Sequence, residues 1–127
     1  MKISCGTDII EVARIQNAIE DMGDKFLNKI YTTSEIEYCK KKGIMCYQHF
    51  AARFAAKEAI FKAISQSLEN KYDVSWKDAQ ILNNEEGRPY VQFLNNKIKN
   101  IEQIDISMSH IKDYAIASCI IVFDEGN

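Results

Sequence analysis

Apolar and small residues repeat at a helical period over residues 50–63, and this stretch organises the prediction for the whole chain. At that period Phe50, Phe54 and Phe61 fall along one side of a helix. A second stripe is made of alanines that recur every four residues, and the stretch contains no Gly or Pro. We therefore predict a central helix from about Cys46 to Ser67, with an alanine stripe that another element can approach closely.

Shorter helical patterns precede this central helix. Apolar residues at helical spacing predict an amphipathic helix over residues 11–22, which Gly23 ends. Residues 24–30 have the pattern of another short helical turn. Thr32 and Glu35 have capping-box spacing, so they should open a helix that runs to about position 42.

Alternating apolar and polar residues predict the strands. The predicted strands cover residues 2–9, 79–83, 89–93, 104–109 and 114–123. The last of them is almost continuously apolar, so we expect it to be buried on both faces. A short helix is predicted over residues 95–101. This order indicates an α+β fold, with one domain over residues 1–127 in which the long central helix packs on a small, mostly antiparallel sheet.

Composition restricts the classes of function. The chain has 127 residues, of which 46% are hydrophobic and 27% charged, as in one ordinary soluble domain. A net charge of −2 gives no reason to expect nucleic-acid binding, so any anion site must be local. No segment approaches the ~20 apolar residues of a membrane span, and residues 1–8 do not resemble a signal peptide. We therefore expect a cytoplasmic protein that makes no membrane contact.

The cysteines support the same compartment. Cys5, Cys39, Cys46 and Cys119 include no C-x-x-C pair, which argues against a zinc site. Two of them lie inside apolar patterns. Buried, reduced thiols in a reducing compartment are the expectation.

Two acidic residues and a lysine are the first candidates for chemistry. Glu58 and Lys62 lie one turn apart on the central helix, where the simplest interpretation is a solvated ion pair worth ~0.2–0.5 kcal/mol. A sharper hypothesis makes Glu58 a metal ligand and Lys62 a phosphate contact, and it needs a second carboxylate. Asp8 can supply that carboxylate at the end of the first strand, just after Gly6, which lets the backbone approach another element closely. The simpler role for Asp8 is to cap the following helix.

Four separated motifs then point to one family. They are Gly6-x-Asp8, residues 53–59 together with Lys62, Gly87-Arg88-Pro89, and residues 107–110 before the last strand. In this order and spacing the chain resembles holo-acyl-carrier-protein synthase, the short bacterial class of 4′-phosphopantetheinyl transferase. The resemblance covers essentially the full length, and the central motif is the most diagnostic part.

The resemblance implies an activity and its partners. Members move 4′-phosphopantetheine from coenzyme A to a serine of apo-acyl carrier protein, need Mg²⁺, and release adenosine 3′,5′-bisphosphate. They serve fatty acid biosynthesis and form trimers whose active sites lie between subunits. Two carboxylates plus substrate phosphate suit Mg²⁺, which prefers oxygen ligands and keeps several waters. The serine proton could pass to a water on the metal or to Glu58, and the sequence leaves both open.

The resemblance also implies roles for individual residues. Asp8 and Glu58 become metal ligands, and Lys62 becomes a contact to the reacting phosphate that could also move a proton. The implied nucleotide contacts are Arg53, Ser109 and His110, with Gly87, Arg88 and Pro89 beside the adenine. The implied carrier-protein surface has basic Arg14, Lys25 and Lys29 and apolar Ile15, Phe26 and Phe54.

The chain departs from the family pattern in two places. The family is often arginine-rich before the central helix, where this chain has Ile44-Met45-Cys46 and, earlier, the basic run Lys40-Lys41-Lys42. Acidic residues also follow Arg14 in the first helix region, at positions 20, 21 and 24. The basic run is an alternative source of the 3′-phosphate contacts, and Lys25 and Lys29 partly restore positive charge to the carrier-protein surface.

Two other classes of protein compete with the enzyme. One is a carrier-protein or nucleotide-binding module that keeps the fold without turnover, and the complete pair Asp8 and Glu58 argues against it. The other is a Mg²⁺-dependent nuclease, which would need a basic groove that the net charge of −2 does not support.

Overall fold

This computed structural model describes residues 1–65 and 74–124, which form four α-helices and two antiparallel sheets. In chain order the elements are β1 (Lys2–Glu11), α1 (Val12–Met22), α2 (Asp24–Ile30), α3 (Thr33–Lys40), α4 (Cys46–Ile64), β2 (Ala79–Asn83), β3 (Pro89–Phe93), β4 (Ile101–His110) and β5 (Tyr114–Phe123). Single 3₁₀ turns cover Gly43–Met45 and Trp76–Asp78. The α+β prediction is confirmed. The central helix begins where predicted, and its predicted last residues, 66 and 67, lie outside the described residues.

The larger sheet has the strand order β1-β5-β4, and α4 packs across its inner face. Gly6 makes this contact close, because a Cβ at that position would lie 2.1 Å from the carbonyl oxygen of Ala59 and 2.9 Å from the Cβ of Lys62. The alanine stripe of α4 is fully buried at the same interface. Both sequence expectations, the close approach at Gly6 and the alanine contact stripe, are confirmed. The strand β2 pairs with β3 in a separate hairpin.

Local signals set the ends of the helices in the first half of the chain. Gly23, with φ of 57°, follows α1 as predicted. The capping box opens α3, since the Thr32 backbone N–H donates to Glu35 Oε1 at 2.8 Å and the Glu35 N–H donates to Thr32 Oγ1 at 3.4 Å. The helix α3 ends at Lys40, two residues before the predicted end near Lys42.

A buried ion pair joins α3 to α4. Glu35 and Lys57 are both fully buried, and Lys57 Nζ lies 2.9 Å from Glu35 Oε1. The second carboxylate oxygen of Glu35 accepts from the Ile81 N–H at 2.8 Å. Lys57 Nζ also donates to three backbone carbonyls, those of Ile30, Trp76 and Ala79, at 2.9, 2.8 and 3.0 Å. These partners satisfy the charge of Lys57 within the core.

Two predicted features of the second half differ from the structure. No helix forms over residues 95–101, because the Asn95 side chain accepts from the Lys97 N–H at 3.0 Å and donates to Asp78 Oδ1 at 2.7 Å. Asparagine side chains compete with helical backbone bonds in this way. The strand β5 is not buried on both faces within one chain. Its inward residues are buried, whereas outward Ile116 and Ile120 are 40% and 49% exposed.

In the described ranges, no helix has both the length and the apolar composition that a membrane crossing requires.

Candidate active site

Asp8 and Lys62 meet where β1 crosses α4. Lys62 Nζ lies 3.2 Å from Asp8 Oδ1 and donates to the carbonyl of Thr7 at 2.8 Å. Asp8 lies inside β1, opposite Ala117 of β5, because the strand continues to Glu11. The helix-cap interpretation of Asp8 is therefore wrong, and the N-cap of α1 is Glu11, whose side chain makes no capping bond.

Glu58 completes this cluster from one turn earlier on α4. Partial burial raises the pKa of the Glu58 carboxyl, the nearby Asp8 carboxylate raises it further, and Lys62 opposes both effects. Within the described residues Lys62 forms its ion pair with Asp8, so the solvated Glu58–Lys62 pair is not what the structure contains. Two carboxylates that repel each other lie beside one ammonium group. A divalent cation relieves that repulsion.

The donor set of this cluster fits Mg²⁺. Both carboxylates offer hard oxygen ligands, which Mg²⁺ prefers, and Mg²⁺ commonly uses one or two protein carboxylates plus water and substrate phosphate. In residues 1–65 and 74–124, no group of three or more His, Cys, Asp or Glu side chains is arranged to hold a metal. Asp8 and Glu58 are the two carboxylates of this cluster that could hold the ion, with water and substrate supplying its other ligands.

A basic cavity lies beside the middle of α4, between α3 and the β2–β3 hairpin. Arg53 is 1% exposed, its guanidinium carbon lies 4.1 Å from the centre of the Tyr38 ring, and its Nη2 donates to the side-chain oxygen of Asn83. Lys42 Nζ lies 4.6 Å from the centre of the same ring. The buried Nε of Arg53 has no hydrogen-bond partner among residues 1–65 and 74–124. The cavity has a volume of about 410 Å³ and is lined by Ser34, Tyr38, Lys42, Arg53, Ile81, Leu82, Asn83, Asn84, Glu85 and Gly87.

This cavity includes residues that the sequence analysis did not single out. The missed residues are Tyr38, which carries two cations over its ring, and Asn83, which orients Arg53. No local pattern marks either one, because both reach Arg53 from other elements. The predicted nucleotide contacts Arg53 and Gly87 do share this cavity.

A second cavity, of about 380 Å³, lies on the outer face of the larger sheet. It brings three of the sequence motifs together, since Gly6 and Thr7 line it with Arg88, Pro89 and residues 105–108. Arg88 Nη2 forms an exposed ion pair with Asp105 Oδ2 at 3.2 Å. Asp8 follows Thr7 in β1, but its side chain lies on the opposite face of the sheet, against Lys62 of α4.

His110 is the last residue of β4, and its neighbour Ser109 is exposed. The His110 ring packs against His49 of α4, with 5.0 Å between ring centres. His49 lies one turn before Arg53 on the same helix, so these two side chains are neighbours on α4. The contact with His49 therefore brings His110 towards Arg53. The sequence analysis named His110 and missed His49.

The predicted carrier-protein surface is only partly at the surface. Arg14, Lys25 and Lys29 are exposed, and Phe26 is half-buried. Phe54 is also half-buried and stacks on Trp76, with 4.9 Å between ring centres. Ile15 is 3% exposed and lies in the core, so its assignment to a docking surface is wrong. Ile15 lies on the inward face of the amphipathic helix α1, where a partner protein could not contact it.

Comparisons with known proteins show which family this chain is similar to. The family profile described as the 4′-phosphopantetheinyl transferase superfamily matches residues 4–119. The holo-[acyl-carrier-protein] synthase of Ruminiclostridium cellulolyticum is 42% identical over 127 residues, which cover 95% of this chain and 92% of that protein. The crystal structure of Helicobacter pylori holo-[acyl-carrier-protein] synthase in complex with coenzyme A has a TM-score of 0.81 at 30% identity, covering 93% of this chain and 99% of that one. The Bacillus anthracis synthase in complex with CoA (3′,5′-ADP) has a TM-score of 0.74 at 34% identity, covering 93% and 94%.

Proposed function

Because this chain belongs to the 4′-phosphopantetheinyl transferase superfamily, we propose that it moves 4′-phosphopantetheine from coenzyme A to a serine of apo-acyl carrier protein. The reaction releases adenosine 3′,5′-bisphosphate and supplies holo-carrier protein for fatty acid biosynthesis. The observation that carries the proposal is the cluster of Asp8, Glu58 and Lys62 at the crossing of β1 and α4. The free thiols of all four cysteines fit the cytoplasmic location that we propose with it.

The chemistry is phosphoryl transfer at the pyrophosphate of coenzyme A. The serine oxygen of the carrier forms a bond to the phosphorus that bears the pantetheine arm, and the bond from that phosphorus to the bridging oxygen breaks. The leaving group keeps that oxygen, and the serine proton passes to water or to the Glu58 carboxylate. Asp8 and Glu58 would hold Mg²⁺, which when bound neutralises charge on the phosphates.

Lys62 acts on the reacting phosphate in this proposal. Its side chain is 53% exposed, and its ammonium group is held 3.2 Å from Asp8 Oδ1. An ammonium in that position can donate to a phosphate oxygen while it remains next to the carboxylates. Phosphoryl transfer is catalysed mainly by positioning and charge stabilisation, which is what a fixed cation beside the phosphate supplies.

The basic cavity suits the nucleotide phosphates. Arg53 and Lys42 both line it, and both lie over the Tyr38 ring. Of the basic run 40–42, Lys42 is the residue that faces this cavity, so we propose that it replaces the arginine found in many relatives before the central helix. Gly87 of the same wall, with φ of 86°, keeps that wall free of a side chain.

A direct assay tests the proposed transfer. The protein is mixed with coenzyme A, Mg²⁺ and apo-acyl carrier protein, and the carrier is weighed by mass spectrometry. The expected result is a carrier heavier by one phosphopantetheine group, with no gain when EDTA removes the metal. A protein that binds coenzyme A without changing the mass of any carrier would instead be the non-enzymatic module of the same fold.

The outer face of the larger sheet supports a trimer. Ile3, Ile9, Ile116 and Ile120 are 57%, 63%, 40% and 49% exposed there, and the second cavity opens on the same face. Apolar residues grouped on one sheet face mark an interaction surface. We propose that this face packs against other copies of the chain, so that the active sites lie between subunits.

Sedimentation equilibrium should therefore give the mass of three chains. Ile116→Asp should lower that mass towards one chain, because it buries an unpaired carboxylate in the interface. The matched control is Ile44→Asp, which changes an isoleucine that is 94% exposed outside the sheet, and it should leave the mass unchanged. A wild-type protein that is a stable, active monomer would refute the trimer.

The carrier protein should dock near Arg14, Lys25 and Lys29, because acyl carrier proteins are acidic and these cations are exposed. Rim charges mainly affect association rate and salt sensitivity. Arg14→Ala should raise the KM for the carrier by less than about fivefold, since an exposed charge pair contributes under about 1 kcal/mol. The KM for coenzyme A should change little.

Steady-state kinetics with each substrate varied in turn, at low and moderate salt, measure this effect. Lys99→Ala is the matched control, because it also removes one exposed cation but lies outside the proposed surface. Unchanged carrier KM and unchanged salt dependence in Arg14→Ala would place the docking surface elsewhere.

A further inference from the structure

Two imidazole rings meet between α4 and β4. The rings of His49 and His110 are 5.0 Å apart between centres and inclined by 67°, so one presents its edge to the other. His49 also packs against Tyr38 of α3, with 5.8 Å between centres and an angle of 71°. His49 is therefore fixed between two rings from different elements. Edge-to-face contacts of this kind set the orientation of both partners.

The neighbouring residue of α4 holds the same turn of the chain. Gln48 Nε2 donates to the carbonyl oxygen of Lys112 at 3.2 Å, in the turn that joins β4 to β5. Consecutive residues of α4 thus contact the backbone of this turn and the ring of His110 just before it. The Gln48 bond holds the turn that follows His110, and the His49 ring contacts the His110 ring itself.

The surroundings of His49 favour its uncharged form, so it contacts His110 as a neutral ring. Burial lowers the pKa of His49 to about 4, and His110, Lys42 and Arg53 lower it as well. The Tyr38 ring, which carries a titratable phenol, also packs on it. His49 is consequently a neutral ring near neutral pH.

We propose that His49 is a positioning residue for His110, holding that imidazole in the orientation in which it contacts the nucleotide part of coenzyme A. This inference rests on the proposed function, because it assumes that His110 meets the substrate. It makes His49 a determinant of coenzyme A binding that acts through its ring. The phosphoryl-transfer step itself, at Asp8, Glu58 and Lys62, does not involve it.

Three variants separate a positioning ring from a direct contact. His49→Ala removes the ring, His49→Phe keeps a ring without its nitrogens, and His110→Ala removes the residue that is positioned. The first measurement is calorimetric titration of each full-length protein with adenosine 3′,5′-bisphosphate. The second is steady-state kinetics with coenzyme A and carrier protein varied in turn, from pH 5.5 to 8.

His49→Ala should weaken binding of the bisphosphate and raise the KM for coenzyme A by roughly 3- to 10-fold, the worth of one aromatic contact. The kcat of His49→Ala and its KM for the carrier protein should each change by less than about twofold. His49→Phe should restore both values, and its pH profile should match that of the wild type, because the native ring carries no charge in that range. His110→Ala should bind the bisphosphate no more tightly than His49→Ala does.

Several results would overturn the inference. They are unchanged binding in His49→Ala, a loss in His49→Phe as large as that in His49→Ala, and a fall in kcat without a change in binding. If His49→Ala does not fold by circular dichroism, His49→Leu, which keeps side-chain volume without a ring, takes its place with the same expectation. Failure of the proposed function looks different, because the wild type would then neither bind the bisphosphate nor modify the carrier.

Discussion

Glu58→Gln and Asp8→Asn should each lower the turnover of phosphopantetheine transfer by roughly 10²- to 10⁴-fold. Both changes keep the size of the side chain and remove one of the two charges that would hold Mg²⁺. They also leave Lys62 with an incomplete set of neighbours beside the reacting phosphate. The measurement is the initial rate of carrier modification by mass spectrometry, at several Mg²⁺ concentrations.

These variants should stay folded, which separates chemistry from stability. The pKa of Glu58 is raised in the folded protein, first by burial and then by Asp8. A raised carboxyl pKa means that the ionised form is less favourable in the folded state, so this group contributes less to stability as the pH rises through that pKa. Glu58→Gln should therefore be no less stable than the wild type at neutral pH.

A matched control checks that the loss is specific. Glu37→Gln removes an exposed carboxylate from α3 and should leave the rate unchanged. Near-normal turnover in either Glu58→Gln or Asp8→Asn would show that the metal assignment is wrong. Lost turnover together with a large drop in melting temperature would attribute the effect to folding instead.

Lys57→Met should lower the free energy of unfolding by about 3–5 kcal/mol, the usual cost of removing one partner of a buried ion pair. Glu35 would remain in the core with a charge and no cation, and three carbonyl oxygens would lose their shared donor. Glu35→Leu should cost a similar amount for the converse reason. The double variant should cost less than the sum, because neither charge is then left alone.

Urea unfolding at one fixed protein concentration measures these values, since assembly would make stability depend on concentration. Lys62→Met is the control, because it breaks an ion pair whose lysine side chain is 53% exposed and should cost under about 1 kcal/mol. A Lys57→Met protein as stable as the Lys62→Met protein would show that the buried pair contributes little to stability.

Local sequence signals predicted most of the helices and strands. Gly23 after α1 and the capping box at Thr32 act through bonds within a few residues, so the sequence alone locates them. The prediction over residues 95–101 was wrong because the Asn95 side chain found partners at Lys97 and at distant Asp78. Hydrophobic periodicity gives no information about side-chain hydrogen bonds of this kind.

The resemblance to a family identified Asp8, Glu58 and Lys62, but the residues alone favoured bland roles for them. Asp8 faces the cluster rather than capping α1, because β1 continues to Glu11. The face to which the Asp8 side chain points is fixed by the pairing register with β5, since a shift of one residue would turn it to the other face. The close approach of β1 to α4 at Gly6 then brings Asp8 to Lys62. Pairing and packing, which are long-range, decided the geometry of the site.

The sequence by itself determined the classes of element, the single domain and the chemistry that its motifs can support, because periodicity, caps and residue types act within one segment. Only the tertiary structure decided that Lys57 is buried against Glu35, that His49 lies against His110, and that one face of β5 is exposed within the single chain. Each of these depends on how segments far apart in the chain are brought together. Contacts of that range arise when the apolar faces of α4 and the sheet pack, since packing fixes which charges and rings become neighbours.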